Sequence, residues 1–272
     1  MYGRRYSSGG GCGGRLIYAA LIAAVSLISY FGSRQTNTVT GETQYIDITP
    51  DQEIALGLQA IPDMEAQFNG EDPSQADQAT VDSIGNSIVA SSPASQTPYQ
   101  FDFHLLADDQ TVNAFALPGG QVFITRALFD QLQTEGELAG VLGHEIGHVV
   151  ARHSAEQIAK AQLTEGLTGA AVIATYDPNN PSSAGSAQVA ALIGQLVTLK
   201  FSRDDELEAD GLGVCFMNDA GYDPNEMVSV QQILASLSQG NDPPEYLSTH
   251  PNPGNRIQRI QQTIQNISSC PQ

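Results

Sequence analysis

Tryptophan is absent from this sequence of 272 residues, and lysine and arginine together number only 11. Four of these basic residues are arginines within residues 1–40, where no acidic residue occurs, so the other seven stand against all 30 acidic residues. Phosphate contacts need lysine and arginine, and a body this poor in cations therefore argues against a nucleic-acid partner. The acidic balance is instead typical of a soluble surface. At this length the chain has ample material for one domain core.

Cysteine is also scarce, and the three cysteines form no metal-binding pattern. Cys12 precedes an apolar run, whereas the cysteine of a bacterial lipoprotein would follow one. Cys215 and Cys270 could form a disulfide in an oxidising compartment, but a buried free Cys215 is the simpler interpretation.

One apolar run, "LIYAALIAAVSLISYFG" at residues 16–32, carries no charge. As a helix it spans about 26 Å, at the short end for a membrane crossing. Arg4, Arg5 and Arg15 precede it and only Arg34 follows closely, so the positive-inside rule places the body of the protein outside the cytoplasm. No clear small-x-small cleavage site follows, and we therefore expect an uncleaved single-pass signal anchor. The alternative is a protein secreted after cleavage.

The sequence thus predicts a basic Gly/Ser-rich cytoplasmic head at residues 1–15, a transmembrane anchor at 16–32, a polar linker at 33–48 and one folded domain at 49–272. In that domain the helical patterns outnumber the strands, so the predicted class is mainly α with a small β-sheet, that is, α+β. Strands are predicted in "YQFDFHLLAD" and on both sides of the Pro118-Gly119-Gly120 turn. Helices are predicted from Thr49 onward, over about twenty residues from Thr134, and near 75–91, 162–175, 186–200, 203–220, 224–238 and 253–267.

The segment "GVLGHEIGHVVARHSAEQ", residues 140–157, lies in the helix that a Thr134/Glu137 capping box is expected to open. Residues four apart on a helix share one face, so His144 and His148 present two imidazoles to one point. Glu145 is rotated by about 100° and can reach a water there without becoming a ligand. This geometry explains why the His-Glu-x-x-His pattern is typical of zinc peptidases.

A catalytic zinc needs a third protein ligand. The metzincin extension would place Gly at 151 and His at 154, where this chain has Ala151 and Ser154; His153 is one residue out of phase and is expected to be structural. The acidic segment "SRDDELEAD" is the other source. Within it, Glu206 and Asp210 lie four apart on one face, which suits a ligand and a carboxylate that orients a histidine.

Four segments taken in order, "NAFALPGGQVFITRALF", "HEIGH", "SRDDELEAD" and "STHPNPGNRI", resemble the HtpX-like and CAAX-prenyl-protease-like membrane-associated zinc metallopeptidases, which are gluzincins. The resemblance covers about residues 50–265. It implies a zincin-like domain with one Zn²⁺ per chain on His144, His148 and Glu206, and it maps the family's aspartate to Asp210. Multi-span members carry several membrane helices, whereas this chain has one candidate and looks more like the single-anchor members.

The resemblance also brings "STHPNPGNRI" near the metal. His250 then has two candidate roles: it donates a hydrogen bond to the oxyanion, or it occupies the open coordination position and keeps the enzyme latent. Arg256 is expected to fix this loop or to stabilise charge near the site. Glu145 is the expected general base.

The strand that contains Asn113, Ala114 and Phe115 could bind an extended substrate by β-augmentation, although an ordinary core hairpin explains the pattern equally well. We therefore expect a membrane-anchored zinc endopeptidase acting on extended or misfolded polypeptides. That these are damaged envelope proteins follows from the resemblance alone. A chaperone-like assembly factor that binds extended chains with little or latent proteolysis is the alternative, and the filled catalytic positions disfavour a pure scaffold.

Overall fold

The structure, a computed structural model, describes residues 12–175, 200–238, 244–251 and 254–271. Apart from Lys200, the predicted helix at 186–200 lies outside these residues. The described part contains ten α-helices: α1 (Cys12–Gly32), α2 (Pro50–Gln67), α3 (Gln75–Ser91), α4 (Arg126–Phe129), α5 (Glu135–Val150), α6 (His153–Thr175), α7 (Arg203–Asp219), α8 (Glu226–Leu237), α9 (Glu245–Thr249) and α10 (Arg256–Gln265). Helices therefore dominate, as predicted.

Five short strands in the described residues form two small sheets. The first is an antiparallel pair, and the second has the order β3-β5-β4, with β3 and β5 parallel and β4 and β5 antiparallel. This confirms the α+β class and leaves β4 at an edge of the sheet. The strands are β1 (Arg34–Thr36), β2 (Thr43–Tyr45), β3 (Asp102–Leu106), β4 (Ala114–Ala116) and β5 (Gln121–Thr125).

The predicted turn between β4 and β5 forms, and it requires glycine. Gly119 has φ +85°, and a Cβ there would lie 2.4 Å from the Cα of Ile54 on α2. Only a residue without a side chain fits both the left-handed backbone and this contact. The turn therefore fixes the sheet against α2.

Helix α5 runs through the core, and all its residues from Glu137 to Val150 are buried. Thr134 caps its start by accepting a hydrogen bond from the Glu137 amide. The predicted capping box is only half formed, because the Glu137 carboxylate accepts from the amide of Gln133 and not from that of Thr134. The Glu137 carboxylate can accept from the amide of either Gln133 or Thr134, so the sequence spacing alone does not predict which of the two it binds.

Small residues let α7 approach α5 closely. A Cβ on Gly147 would lie 2.9 Å from the carbonyl oxygen of Ala209, and one on Gly213 would lie 2.9 Å from the amide nitrogen of His144. With larger side chains at these positions the two backbones would have to move apart. The contact therefore brings the acidic turn of α7 against the histidine face of α5.

Residues 33–48 are folded against the domain and do not form an extended linker. They contain the β1–β2 hairpin, in which Asn37 Nδ2 donates to the carbonyl of Val150 at 2.8 Å and Gln44 Nε2 donates to the carbonyl of Ala151. The last carbonyls of a helix have no partner within the helix. The polar side chains that suggested a linker, Asn37 and Gln44, therefore cap the end of α5.

Helix α1 contains the apolar run at 16–32 and packs along α6. Several of its large apolar side chains are exposed, among them Leu16, Ile17, Leu21 and Ile28. Within the part of the chain that the structure describes, no helix combines the length and apolar character required to cross a membrane. The predicted anchor stays a prediction.

Cys215 of α7 and Cys270 form a disulfide, so the expectation of a free Cys215 is wrong. Their Cα atoms lie 5.6 Å apart across 55 residues of sequence. The pairing arises because α10 packs against α7, a long-range contact that the spacing of the two cysteines does not reveal.

Removing this disulfide should destabilise the domain. A chain-entropy argument for a loop of 55 residues gives an upper value of about 4 kcal/mol, and measured effects are typically 2–4 kcal/mol. We expect the Cys215→Ala/Cys270→Ala variant to lose roughly this much free energy of unfolding in a denaturant titration. Reductant should lower the stability of the wild type to a similar value and leave the double variant unchanged. If the wild type and the double variant were equally stable under oxidising conditions, the disulfide would not stabilise the domain.

Candidate metal centre

Four side chains converge at one buried point: His144 and His148 from α5, Glu206 from α7 and His250 immediately after α9. Their potential ligand atoms all lie within 4.8 Å of one another. The Nε2 atoms of His144 and His148 are 3.0 Å apart, and the Glu206 carboxylate lies 3.6 Å from the first and 3.4 Å from the second. The helical spacing and the close approach of α7 together produce this arrangement.

The protonation states of these groups suit a divalent cation. Burial lowers the pKa of His148 well below its usual value, although Glu206 opposes the shift, so the imidazole is neutral. Burial alone would raise the pKa of Glu206, but His250, a hydrogen bond from His148 and Arg256 outweigh it and hold that pKa well below its usual range. Neutral imidazole and ionised carboxylate are the forms that bind metal. The donor set therefore fits the metal that the sequence predicts.

Glu145 lies beside this group and is fully buried. Neither of its carboxylate oxygens has a hydrogen-bond partner among the described residues, and the nearest basic atom is His250 Nε2 at 3.8 Å. Burial raises the pKa of Glu145, and the proximity of His250 only partly offsets this. A buried carboxylate left without a partner is poised to accept a proton from something that enters the site.

Asp210 holds His144 from behind. Its Oδ1 lies 3.0 Å from His144 Nδ1, so the imidazole donates from Nδ1 and directs Nε2 toward the centre. Arg256, which is almost fully buried, joins the two acids: Nη2 lies 2.8 Å from Asp210 Oδ1 and Nη1 lies 2.9 Å from Glu206 Oε2. Its place agrees with a role in stabilising charge at the site.

His250 lies on the fourth side of the group. Its Nδ1 is 2.9 Å from Glu206 Oε1 and 3.3 Å from His144 Nε2, and its Nε2 faces Glu145. The ring stacks on Tyr246 with centroids 4.3 Å apart and an interplanar angle of 15°. Burial tends to lower the pKa of His250, but Glu206 and Glu145 raise it overall. The loop that the family resemblance placed near the metal therefore brings a third imidazole to the centre, and this ring would have to lose its proton to act as a fourth ligand.

The predicted substrate strand is an edge strand, but it is covered. Asn113, Ala114 and Phe115 are all buried, and the carbonyl of Val112 accepts a hydrogen bond of 3.2 Å from the amide of Tyr246. Among the described residues, both polar atoms of the Asn113 side chain lack a hydrogen-bond partner. The short α9 segment thus contacts both the start of this strand and the metal group.

Two neighbours of His148 were not predicted from the sequence. Phe201 stacks on its ring with centroids 4.1 Å apart, and His153, expected to be structural, lies 2.9 Å from it between the two Nδ1 atoms. No helical spacing connects either residue with His148, so the periodicity that found the other site residues gave no signal here.

Residues 75–264 of the chain match the model of Peptidase family M48. The chain is 37% identical over 183 residues to the beta-barrel assembly-enhancing protease of Yersinia pestis, which covers 65% of this chain and 37% of that protein. It is 30% identical over 251 residues to the mitochondrial metalloendopeptidase OMA1 of Schizosaccharomyces pombe, which covers 91% of this chain and 71% of the relative. The chain thus spans well under half the length of the Yersinia protein.

Loss of the Arg256 guanidinium should destabilise the domain strongly, because two buried carboxylates would lose their cation. Breaking a buried ion pair by removing one partner typically costs about 3–5 kcal/mol. We expect a loss of this size for Arg256→Met in denaturant unfolding of the metal-free protein. Arg259→Met, on an exposed position of the same helix, should change stability by less than about 0.5 kcal/mol. Equal effects of the two substitutions would show that the buried pairs do not stabilise the fold.

Proposed function

The chain belongs to peptidase family M48, and we propose that it is a metalloendopeptidase that uses one Zn²⁺ to hydrolyse peptide bonds in extended or misfolded polypeptides. The observation that carries this proposal is the convergence of His144, His148 and Glu206 beside the unpartnered carboxylate of Glu145. Two imidazoles and one carboxylate form a catalytic zinc set that leaves one position for water or substrate.

The residues around the centre have separate roles in the proposed hydrolysis. When bound, zinc polarises the scissile carbonyl and lowers the pKa of water. Glu145 accepts a proton from the attacking water as the new C–O bond forms, and it returns that proton to the amine nitrogen as the C–N bond breaks. Burial raises the pKa of Glu145, which strengthens it as a base. Asp210 keeps the imidazole of His144 oriented throughout.

The side chains of the centre are almost completely buried, so a polypeptide cannot reach them in this conformation, and we infer that the enzyme is latent until the α9 segment moves. His250 would be a fourth ligand beside His144, His148 and Glu206. Tyr246, four residues earlier, donates its backbone amide to the carbonyl of Val112. Movement of the α9 segment would open the centre and release the start of β4 together. An extended substrate could then pair along Asn113, Ala114 and Phe115.

We further propose that the protein is anchored through residues 16–32, with its catalytic domain on the extracytoplasmic side. The distribution of arginines supports this orientation, as do the exposed apolar side chains of α1. The Cys215–Cys270 disulfide is typical of an oxidising compartment. The name of the Yersinia relative, which refers to beta-barrel assembly, supports envelope proteins as substrates.

Replacing Glu145 with Gln should abolish proteolysis without removing the metal, because the amide has nearly the same shape but cannot take a proton. We expect casein turnover to fall by about 10²–10⁴-fold, while the zinc content of the purified protein stays at one per chain. Glu135→Gln, at an exposed position on the same helix, is the matched control and should retain wild-type turnover.

A chelator should also stop turnover by the wild type. Full activity of Glu145→Gln would refute the proposed mechanism. Stable capture of casein without chelator-sensitive cleavage by the wild type would favour the chaperone-like alternative.

Replacing His250 with Ala should raise turnover of a short extended peptide, because the substitution removes the side chain that would compete with the substrate at the centre. If the closed state dominates, an increase of roughly tenfold is expected when it is destabilised. The double variant His250→Ala/Glu145→Gln should be inactive, which would show that the gain uses the same centre. A decrease in turnover would instead assign His250 as an oxyanion donor, and no change would leave it without a role.

A further inference from the structure

We propose that His153 is a positioning residue of the metal centre that orients the imidazole of His148 and is itself held by Glu208. This inference rests on the proposed function of the site, since it assigns a role toward the metal that His148 would bind. His153 lies outside the His-Glu-x-x-His pattern and is almost fully buried.

The distances place His153 between a ligand and a carboxylate. Its Nδ1 lies 2.9 Å from Nδ1 of His148, and its Nε2 lies 3.3 Å from Oε2 of Glu208. The other nitrogen of His148, Nε2, faces His144 and Glu206 at the centre. Each ring nitrogen of His148 and of His153 therefore has a partner, either in the centre, in the other ring or in Glu208.

This arrangement fixes a single set of tautomers. Because His148 binds through Nε2, its proton must be on Nδ1, which donates to Nδ1 of His153. His153 then carries its own proton on Nε2, where the carboxylate of Glu208 accepts it. The reverse order would protonate the nitrogen of His148 that the metal needs. The chain from His148 through His153 to Glu208 thus favours the form of His148 that binds metal.

The two histidine ligands are supported in parallel ways. His144 donates from Nδ1 directly to Asp210 of α7, whereas His148 reaches Glu208 of the same helix only through His153. Partners of this kind set the ring orientation and the basicity of a metal ligand. Without His153, the Nδ1–H of His148 would lose the only side-chain partner that the described residues provide for it.

The backbone between α5 and α6 makes this contact available. In a continuous helix, residues five apart would be rotated by about 140° from each other and could not face. Helix α5 ends at Val150, and Arg152 adopts φ +59°, which turns the chain so that His153 returns over His148. The Arg152 guanidinium is bonded to Glu53 and to the carbonyl of Ile48, so this turn is held in place.

The test compares His153→Asn with His153→Leu in the full chain. The two side chains are similar in size, but only Asn can offer an oxygen near the position of Nδ1 to accept from His148. The zinc dissociation constant is measured by competition with a chromophoric chelator. We expect Leu to weaken zinc binding by about 10–100-fold, while Asn stays within about threefold of the wild type because it keeps the hydrogen bond.

The matched control is His104→Leu. His104 also stacks on an aromatic ring, that of Phe123, and bonds to Gln121, but it is not part of the centre, so this variant should bind zinc as the wild type does. Wild-type affinity in His153→Leu, or equal weakening in Asn and Leu, would overturn the proposal. If the Leu variant fails to fold, Glu208→Ala, at a partly exposed position, takes its place and should still weaken zinc binding. An unchanged zinc affinity in Glu208→Ala would then overturn the proposal.

A second readout separates this inference from the proposed function. In the ¹⁵N-labelled protein, the ring nitrogen shifts should show the proton of His153 on Nε2 without metal, and the proton of His148 on Nδ1 once zinc occupies Nε2. The opposite tautomers would overturn the hydrogen-bond chain whether or not zinc binds. Failure of the wild type to bind zinc, with the proton of His153 on Nε2, would overturn the proposed function and leave the contact between His153 and Glu208 standing.

Discussion

The buried guanidinium of Arg256 is the interaction on which the centre depends. Glu206 and Asp210 are both withdrawn from water, and each buried ion costs several kcal/mol unless it is paired and hydrogen-bonded. Arg256 contacts both: it is the main charge that keeps Asp210 ionised, and at Glu206 it acts together with His250. The Cys215–Cys270 disulfide joins the segment after this helix to α7, the helix that carries both acids. The segment that contains Arg256 and Cys270 is therefore a structural part of the site and does not merely cover it.

Helix α5 can hold two histidines accurately because it is constrained along its whole length. Thr134 caps its first turn, glycines allow α7 to lie against its side, and Asn37 and Gln44 satisfy its last carbonyls. Each constraint comes from a different part of the sequence, and each acts on the backbone and not on the histidines. Rigid support of this kind is what a metal site needs, because ligand positions must be reproduced to a fraction of an ångström.

Local periodicity was sufficient to predict the residues that share one helix face. His144, Glu145 and His148 follow from the helical repeat alone, and the pairing of Glu206 with Asp210 follows from the same repeat and from the family resemblance. The predictions failed where a contact depends on distant folding. The disulfide and the hairpin that contains Asn37 join segments that no repeat connects, and His153 reaches His148 only because Arg152 leaves the helical region. A single residue with positive φ changes the direction of the chain, and composition gives little warning of it at an arginine.

The way in which the site is closed also indicates how a substrate would open it. The α9 segment offers the centre one nitrogen donor, from His250, and offers the carbonyl of Val112 one backbone N–H, from Tyr246. An extended polypeptide carries the same two kinds of group, a carbonyl oxygen for the centre and amide N–H groups for the edge of β4. A ligand shifts a conformational equilibrium only by its differential affinity for the two states. Under the proposed function, an extended substrate would replace both interactions at once and so favour the open state, whereas a compact folded protein presents no free strand to do so. The closed form would thereby select extended chains before any bond is cut.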